Sequence, residues 1–234
     1  MAIGLSGRRS VRLCVACGVT LVVTGCGSAD REGAPTTGPS WTDYVGAIGS
    51  AMRAELLRPS PNCQRSERDP VWIEAAERMG ERDRLARSGE VSDQRWRELD
   101  AENRSELAEL IDKRGWPEPC QLTRSAASAL FYVIQHHRAD QVRQEALPLF
   151  EEMGREGLVR GSEVAMLVDR TLIDQGAAQR FGTQYECRDG IWARMPTEAP
   201  ETLNARRDEM GLIPADIEAR LVNRDLEESG CSNR

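Results

Sequence analysis

Apolar residues recur at three- and four-residue steps along most of the chain after residue 40, which is the pattern of amphipathic helices. The first such face consists of Trp41, Val45, Ile48, Met52 and Leu56. Further helical segments are expected near 71–87, 92–114, 123–138, 140–153, 162–173, 201–210 and 215–227. The pattern predicts a mostly α-helical protein, a compact bundle of about seven helices.

Capping residues, glycine and proline set the expected helix boundaries. Ser92, Asp140 and Ser162 are predicted N-caps, and either Thr123 or Ser125 opens the segment that follows the Gly115-Trp116-Pro117 turn. In that segment, Ala126, Ala127, Leu130, Val133, Ile134 and His137 are expected to lie on one face.

One stretch departs from the helical period. Residues 184–188 and 191–194 read as short strands, and Asp189-Gly190 between them is a strong two-residue hairpin signal. We therefore expect one small β-hairpin near residues 184–194.

The N-terminus has the form of a lipoprotein signal peptide. Three arginines, Arg8, Arg9 and Arg12, precede a 12-residue apolar run from Leu13 to Thr24. The run is shorter than the ~20 residues that span a bilayer, so we expect cleavage. Val23-Thr24-Gly25-Cys26 reads as a lipobox, which predicts that Cys26 becomes an acylated N-terminus. The Arg8-Arg9 pair is compatible with export by the twin-arginine route as well as by the general secretory route, and both remain open.

This N-terminus defines the expected organisation and location. Residues 1–25 would be the signal peptide, 26–40 the lipidated cysteine with a flexible tether of small polar residues, and 41–230 a single helical domain. The predicted location is the extracytoplasmic face of the cell membrane, with the membrane itself as partner through Cys26.

The charge of the mature chain argues against a nucleic-acid partner. Removal of residues 1–25 takes away three arginines and no acidic residue, so the formal net charge moves from −7 to −10. Binding to phosphates draws on clustered lysine and arginine, which an acidic domain does not favour. A small polar ligand or an envelope protein is the expected partner besides the membrane.

Four cysteines remain in the mature domain besides the anchor: Cys63, Cys120, Cys187 and Cys231. An even number outside the cytoplasm favours disulfides, and four cysteines allow three pairings. We prefer Cys63 with Cys120 and Cys187 with Cys231, because each lies in a turn or chain end beside helices that should pack together.

Established catalytic motifs, including phosphate-binding loops, zinc-protease signatures and serine-hydrolase elbows, do not occur. His136 and His137 are the two histidines, and they point about 100° apart on a helix. Pairing of either with Asp140 would suggest a metal, but a histidine at a helix end more often caps or packs. No metal or other cofactor is predicted.

Two further groups of polar residues are candidates for chemistry. Asp169 lies on an apolar flank and Arg170 beside it, so Asp169 is either a general base or part of a buried bracing network. The segment 176–184 contains two glycines with Gln179, Thr183 and Gln184, which can bind a polar ligand or satisfy the backbone of their own loop.

Short motifs also occur in a fixed order. They are Asp100 with Asn103, Gly115-Trp116-Pro117, Gln135-His136, Asp169-Arg170, Gly176 with Gln179, Phe181-Gly182-Thr183-Gln184, and Arg206-Arg207 with Gly211-Leu212. The series resembles a bacterial domain-of-unknown-function family over about residues 72–222. Phe181 replaces a tyrosine usual in that family, and Asp83-Arg84 stands where its members tend to have Asp-Gln. The resemblance implies a shared fold and a shared polar group, and it brings no known activity.

Two functions follow from these observations. The first is a noncatalytic, membrane-anchored binding or structural domain, with Gln135, Gln179, Thr183 and Gln184 as candidate binding residues. The alternative is a hydrolase or lyase in which His136 is general acid or base, Asp169 orients it, and Arg170 or Gln184 holds the substrate.

Overall fold

The computed structural model describes residues 67–226 and Cys231. Within these residues the chain forms seven α-helices and one two-stranded antiparallel sheet, which confirms the predicted mostly α fold. The elements are α1 (Pro70–Arg87), α2 (Asp93–Arg114), α3 (Arg124–Gln135), α4 (Asp140–Arg155), α5 (Gly161–Asp174), β1 (Tyr185–Arg188), β2 (Ile191–Arg194), α6 (Leu203–Glu209) and α7 (Ala215–Leu226). Short 3₁₀ turns cover Pro119–Gln121 and Pro200–Thr202.

Several predictions concern residues outside the described part of the chain. They are the signal peptide and lipobox, the tether, the helical face from Trp41 to Leu56, and Cys63. None of the helices in the described part is long and apolar enough to cross a membrane.

Side-chain caps fix the ends of the first two helices. The Asp69 carboxylate accepts from the backbone N–H of Val71 at 2.9 Å, and Pro70 starts α1 at a position where no N–H is needed. Ser92 caps α2 as predicted, with its hydroxyl accepting from Arg95 N at 3.2 Å. Gly115 ends α2 with a φ of 72°, a conformation that glycine adopts without strain.

The main core forms where α1 crosses α3 and α4 packs on α5. Its centre contains large, fully buried side chains from four helices: Trp72, Met79, Leu130, Phe131, Phe150, Met153 and Leu167. The predicted apolar face of α3 is confirmed, because Ala126, Ala127, Leu130, Val133 and Ile134 are all buried. Burial of these faces is the main source of stability of the helical layer.

The hairpin and the C-terminal helix form a second, smaller cluster. β1 pairs with β2 from Tyr185 opposite Arg194 to Arg188 opposite Ile191, so Asp189-Gly190 is the predicted two-residue turn. Both turn residues have positive φ, 51° and 83°. Tyr185 and Trp192 pack with Val222 of α7 and with Cys231.

The disulfide prediction is confirmed for one pair. Cys187 of β1 is bonded to Cys231, which lies beyond α7, with a Cα–Cα distance of 5.5 Å. Cys120 is disulfide-bonded as well. Its expected partner, Cys63, lies outside the described residues.

Three expected helix boundaries were wrong. Asp140 is the first residue of α4 and Ala139 its N-cap. Ser162 lies inside α5, because the buried Glu163 side chain reaches back to Arg160 N at 2.8 Å and starts the helix earlier. The stretch 201–210 divides into a 3₁₀ turn and the short helix α6.

The end of α3 also differs from the prediction, since His137 lies beyond the helix. His136 is the C-cap residue, and His137 N–H donates to the Ile134 carbonyl in a tighter turn. The His137 carbonyl accepts from Arg143, and its ring Nδ1 accepts from Ala139 N at 3.1 Å. These contacts replace the next helical turn.

Candidate functional site

Asp169 lies on α5 and is completely buried. Its carboxylate accepts four hydrogen bonds: from Arg180 N at 2.7 Å, Phe181 N at 2.9 Å, and the backbone N and hydroxyl of Thr183, each at 2.8 Å. Burial raises the pKa of the Asp169 carboxyl, and these donors oppose that rise. All four donors come from the loop between α5 and β1, so Asp169 fastens this loop to the helix.

Gln179 and Gln184 stabilise the same loop from within. Gln179 Nε2 donates to the carbonyls of Gln184 and Met195 at 3.1 and 2.8 Å, and its Oε1 accepts from Gln184 N at 2.7 Å. The Gln184 amide donates to Thr183 Oγ1 at 3.0 Å. These buried amides satisfy loop backbone, which is the more common use of such residues.

Arg207 holds the loop from the opposite side. It is fully buried on α6, donates to the Phe181 carbonyl at 2.7 Å and pairs with Glu218 of α7 at 2.8 Å. The motif residues of the C-terminal half therefore form a bracing network between α5, the loop and α6–α7.

His136 is bonded to a carboxylate other than the expected Asp169. At the end of α3, its Nδ1 lies 3.0 and 2.9 Å from the two carboxylate oxygens of Asp83 on α1. A carboxylate can only accept, so Nδ1 carries the hydrogen and Nε2 is the remaining acceptor of the neutral ring. The His136 ring also stacks on Tyr132, with 6.4 Å between centroids.

Arg87 connects this pair to a second buried carboxylate. Its Nη2 lies 3.3 Å from Asp83 and 3.0 Å from Asp100, which belongs to α2. The guanidinium also lies 5.5 Å from the centre of the Trp96 ring, and Arg138 lies 5.3 Å from the same ring. One arginine thus sits between two carboxylates, beside an aromatic ring.

These side chains line a cleft between α1, α2 and the end of α3. Its walls are Asp83, Asp100, Asn103, Arg104, Val133, His136 and His137. The space inside the cleft that a water-sized group can occupy is about 10 Å³. A single water molecule needs ~10–15 Å³ of such space, so the cleft has room for about one water-sized group, such as one polar group of a ligand whose remainder lies outside.

Asn103 has a side-chain hydrogen-bond acceptor in the cleft that no other residue satisfies among the described residues. It is 5% exposed, and its Nδ2 donates to the Met79 carbonyl at 2.9 Å. Its Oδ1 is buried without a hydrogen-bond partner among the described residues. Buried polar atoms normally have partners, so this acceptor is available to a water molecule or to one group of a ligand in the cleft.

His137 is a half-buried residue of the cleft wall. Burial lowers the pKa of its ring, as do the positive charges of Arg143 and Arg104, whereas Ala139 N–H and Asp100 oppose the shift. The lowered pKa favours a neutral imidazole at this wall of the cleft, near Asp100.

Arg170 and Gln135, the two remaining candidates, are not among the residues that line the cleft, and each interacts with another group of the protein. Arg170 is half-buried on α5, and Gln135 is buried as the last residue of α3. Within residues 67–226 and Cys231, no group of three or more histidine, cysteine and acidic side chains is placed to hold a metal ion.

The structure thus divides the predicted polar set into a brace around Asp169 and a cleft around His136. The sequence singled out His136 but assigned it the wrong carboxylate. Asp100 and Asn103 were visible as a motif, and Asp83 as the aspartate of the Asp83-Arg84 pair, but none was placed in the site. The signal that Asp83, Asp100 and Asn103 share is a polar residue on the face of a helix that packs against its neighbours.

Comparison with known proteins identifies the family. Residues 88–227 match the Family of unknown function (DUF6624), which is more than half of the 234 residues, and the chain belongs to this family. No curated protein and no solved structure matches the chain. The matched range includes Asp100, Asn103 and His136 and begins after Asp83.

Proposed function

We propose that this member of the DUF6624 family is a membrane-anchored lipoprotein whose helical domain binds a small polar ligand outside the cytoplasm. The observation that carries the binding role is the cleft, where Asp83, Asp100, Asn103 and His136 from three helices meet. Buried carboxylates are costly, and apolar residues at these positions would avoid that cost. The presence of two carboxylates therefore supports a role for them.

The proposed location is supported by two features of the chain. The lipobox ends at Cys26, after a signal-like segment. The disulfide between Cys187 and Cys231 is of a kind that persists in oxidising compartments and is rare in the cytosol. Neither feature depends on the cleft, so anchoring and ligand binding are tested separately.

Metabolic labelling tests the anchor. Cells that express the protein are grown with an alkyne-bearing fatty acid, and the label on the protein is read after membrane fractionation. We expect a labelled membrane protein from the natural sequence and no label from Cys26→Ser. Cys17→Ser, in the segment expected to be removed, is the matched control and should be labelled normally. A labelled Cys26→Ser variant would refute lipidation at this residue.

A thermal-shift screen tests the binding role. The membrane-extracted protein in detergent is heated with separate small polar metabolites: amino acids, sugars, nucleosides and carboxylic acids. Stabilisation follows RT ln(1 + [L]/Kd), about 2.7 kcal/mol at 100 times Kd. We expect stabilisation by at least one class and its loss in Asn103→Leu. If no class stabilises the protein, a purely structural domain is the better account.

The His136–Asp83 pair favours a hydrolase or lyase as a second candidate function. A carboxylate on Nδ1 orients the ring and leaves Nε2 to accept a proton at the cleft, which is the arrangement of a general base. Envelope extract incubated with the natural protein or with His136→Gln can be compared by mass spectrometry. Products that depend on His136 would establish an enzyme, and identical product patterns would leave the binding role.

A further inference from the structure

The cleft presents hydrogen-bond acceptors in excess of donors. Within the described residues, Asn103 Oδ1 has no donor, His136 bonds only through Nδ1, and Asp100 accepts only from Arg87 through Oδ1. Asn103 Oδ1, Asp100 Oδ2 and, in the neutral form of the ring, His136 Nε2 are therefore acceptor atoms available to a bound group. A ligand that supplies several N–H donors and no acceptor would satisfy them best.

The charge of the inner cleft favours a cationic donor. Asp83 and Asp100 are 4% and 7% exposed, and both face the single guanidinium of Arg87. His137 does not compensate, because its lowered pKa favours the neutral ring. A positive ligand group placed beside these carboxylates would gain charge-assisted hydrogen bonds.

One residue of the cleft wall carries the opposite charge. Arg104 is a half-buried residue of the cleft wall and makes no ion pair within the described residues. A guanidinium suits a carboxylate, which it binds through two parallel hydrogen bonds. The cleft therefore combines acceptors and carboxylates with an arginine one residue after Asn103.

From this arrangement we infer that the cleft binds a primary ammonium group next to a carboxylate, as in small α-amino acids. The ammonium would lie among Asn103, Asp100 and His136, and the carboxylate would bind Arg104. The cleft has about 10 Å³ for a water-sized group, which matches the ammonium and leaves the rest of the ligand outside. This inference rests on the proposed ligand-binding function and names the class of ligand.

Calorimetric titration of the membrane-extracted protein in detergent tests the ligand class without any variant. The probes are glycine, alanine, serine and glutamate, each with its N-acetyl derivative and its methyl ester. Acetylation removes the ammonium, and esterification removes the carboxylate charge. We expect the free amino acid that binds best to exceed both derivatives by roughly tenfold or more, because each change removes a charged hydrogen-bonding partner.

Two variants assign the two halves of the ligand to their residues. Asp100→Asn should weaken binding of the free amino acid by roughly tenfold, whereas Asp112→Asn, an exposed change on the same helix, should leave it unchanged. Arg104→Gln should weaken binding of the free amino acid but not of its methyl ester. Arg97→Gln removes an exposed arginine from the same helix and serves as control.

The outcomes separate this inference from the function on which it rests. N-acetyl derivatives that bind as well as free amino acids would overturn ammonium recognition, and equal binding of methyl esters would overturn the role of Arg104. If sugars, nucleosides or other acids bind instead, the ligand class is wrong and the binding function stands. If no compound of either set binds, both proposals fail.

Discussion

The Asp169 carboxylate shows how one residue can organise a loop. It gathers four donors from residues 180–183 at a point with no solvent contact. Asp169→Asn replaces one carboxylate oxygen by an NH₂ group, which would face donors and leave them unsatisfied. We expect a loss of about 3 kcal/mol in the free energy of unfolding, measured by urea denaturation.

The matched control for this change is Asp112→Asn on α2, because Asp112 is exposed. Surface substitutions of this kind usually alter stability by no more than ~0.5 kcal/mol. An Asp169→Asn variant that is as stable as the control would contradict the bracing role.

His137 links stability to pH. Burial lowers the pKa of its ring below the ordinary value of 6.5, so the unfolded chain binds a proton more readily than the folded protein. Its contribution therefore destabilises the fold as pH falls from about 6.5 towards the lowered pKa, and it has no effect above that window. The positive charges of Arg143 and Arg104 act in the same direction, and Asp100 opposes them.

His137→Asn tests this dependence, because asparagine keeps an acceptor near Ala139 N and does not titrate. We expect the natural protein to lose more stability between pH 7 and pH 5 than the variant, as measured by thermal denaturation. Acidic residues titrate in both proteins, so the difference between the two profiles isolates His137. Parallel profiles would show that the ring titrates alike in the folded and unfolded chains.

At the scale of elements, the crossing of α1 and α3 depends on a glycine. A Cβ atom added to Gly80 would lie 2.6 Å from the Cβ of Ala129, so the two helices approach closely at this point. Gly80→Ala should lower the free energy of unfolding by about 1–2 kcal/mol, since overpacking outweighs the gain in helix propensity.

A double-mutant cycle measured by urea denaturation separates packing from propensity. Ala129→Gly alone should cost about 1 kcal/mol in helix propensity. In the double variant the space is restored, so the loss should be smaller than the sum of the two single losses. Additive losses would mean that the two residues do not contact each other across the crossing.

The helices and the hairpin were predictable because their signals are local. The apolar period of α3, the Ser92 cap and the Asp189-Gly190 turn are each contained in a few consecutive residues. The starts of α4 and α5 were missed because the bonds that set them involve residues inside the helix, such as Glu163. A capping residue near the start of a helix does not by itself show that it is the N-cap.

The cleft was only partly predictable because its contacts are distant in sequence. His136 and Asp83 are 53 positions apart and meet only where α1 crosses α3. From the sequence alone Asp169 is an equally good partner, because a buried brace and a general base have the same residue pattern. The crossing of α1 and α3 brings His136 to Asp83, and the spacing of apolar residues along the chain does not encode how two helices cross.

At the scale of the whole molecule, the described residues combine a helical layer with a C-terminal cluster of hairpin and α7. The two parts are joined by buried polar contacts as well as by apolar packing. Asp169 binds the connecting loop from α5, and Arg207 binds it from α6 while pairing with Glu218 of α7. The bracing network thus fixes the C-terminal part to the layer that contains the cleft.

The disulfide closes the C-terminal part covalently. Cys187 and Cys231 are 44 residues apart, and a chain-entropy estimate for a loop of that length gives about 4 kcal/mol. We expect the free energy of unfolding of a Cys187→Ser/Cys231→Ser variant, measured by urea denaturation, to be lower by a comparable amount. A reductant should affect the variant less than the natural protein.

The cleft residues lie outside this loop, so a ligand should stabilise the variant and the natural protein by similar amounts. If removal of the bond abolished ligand binding in a protein that still folds, the C-terminal part would belong to the binding site.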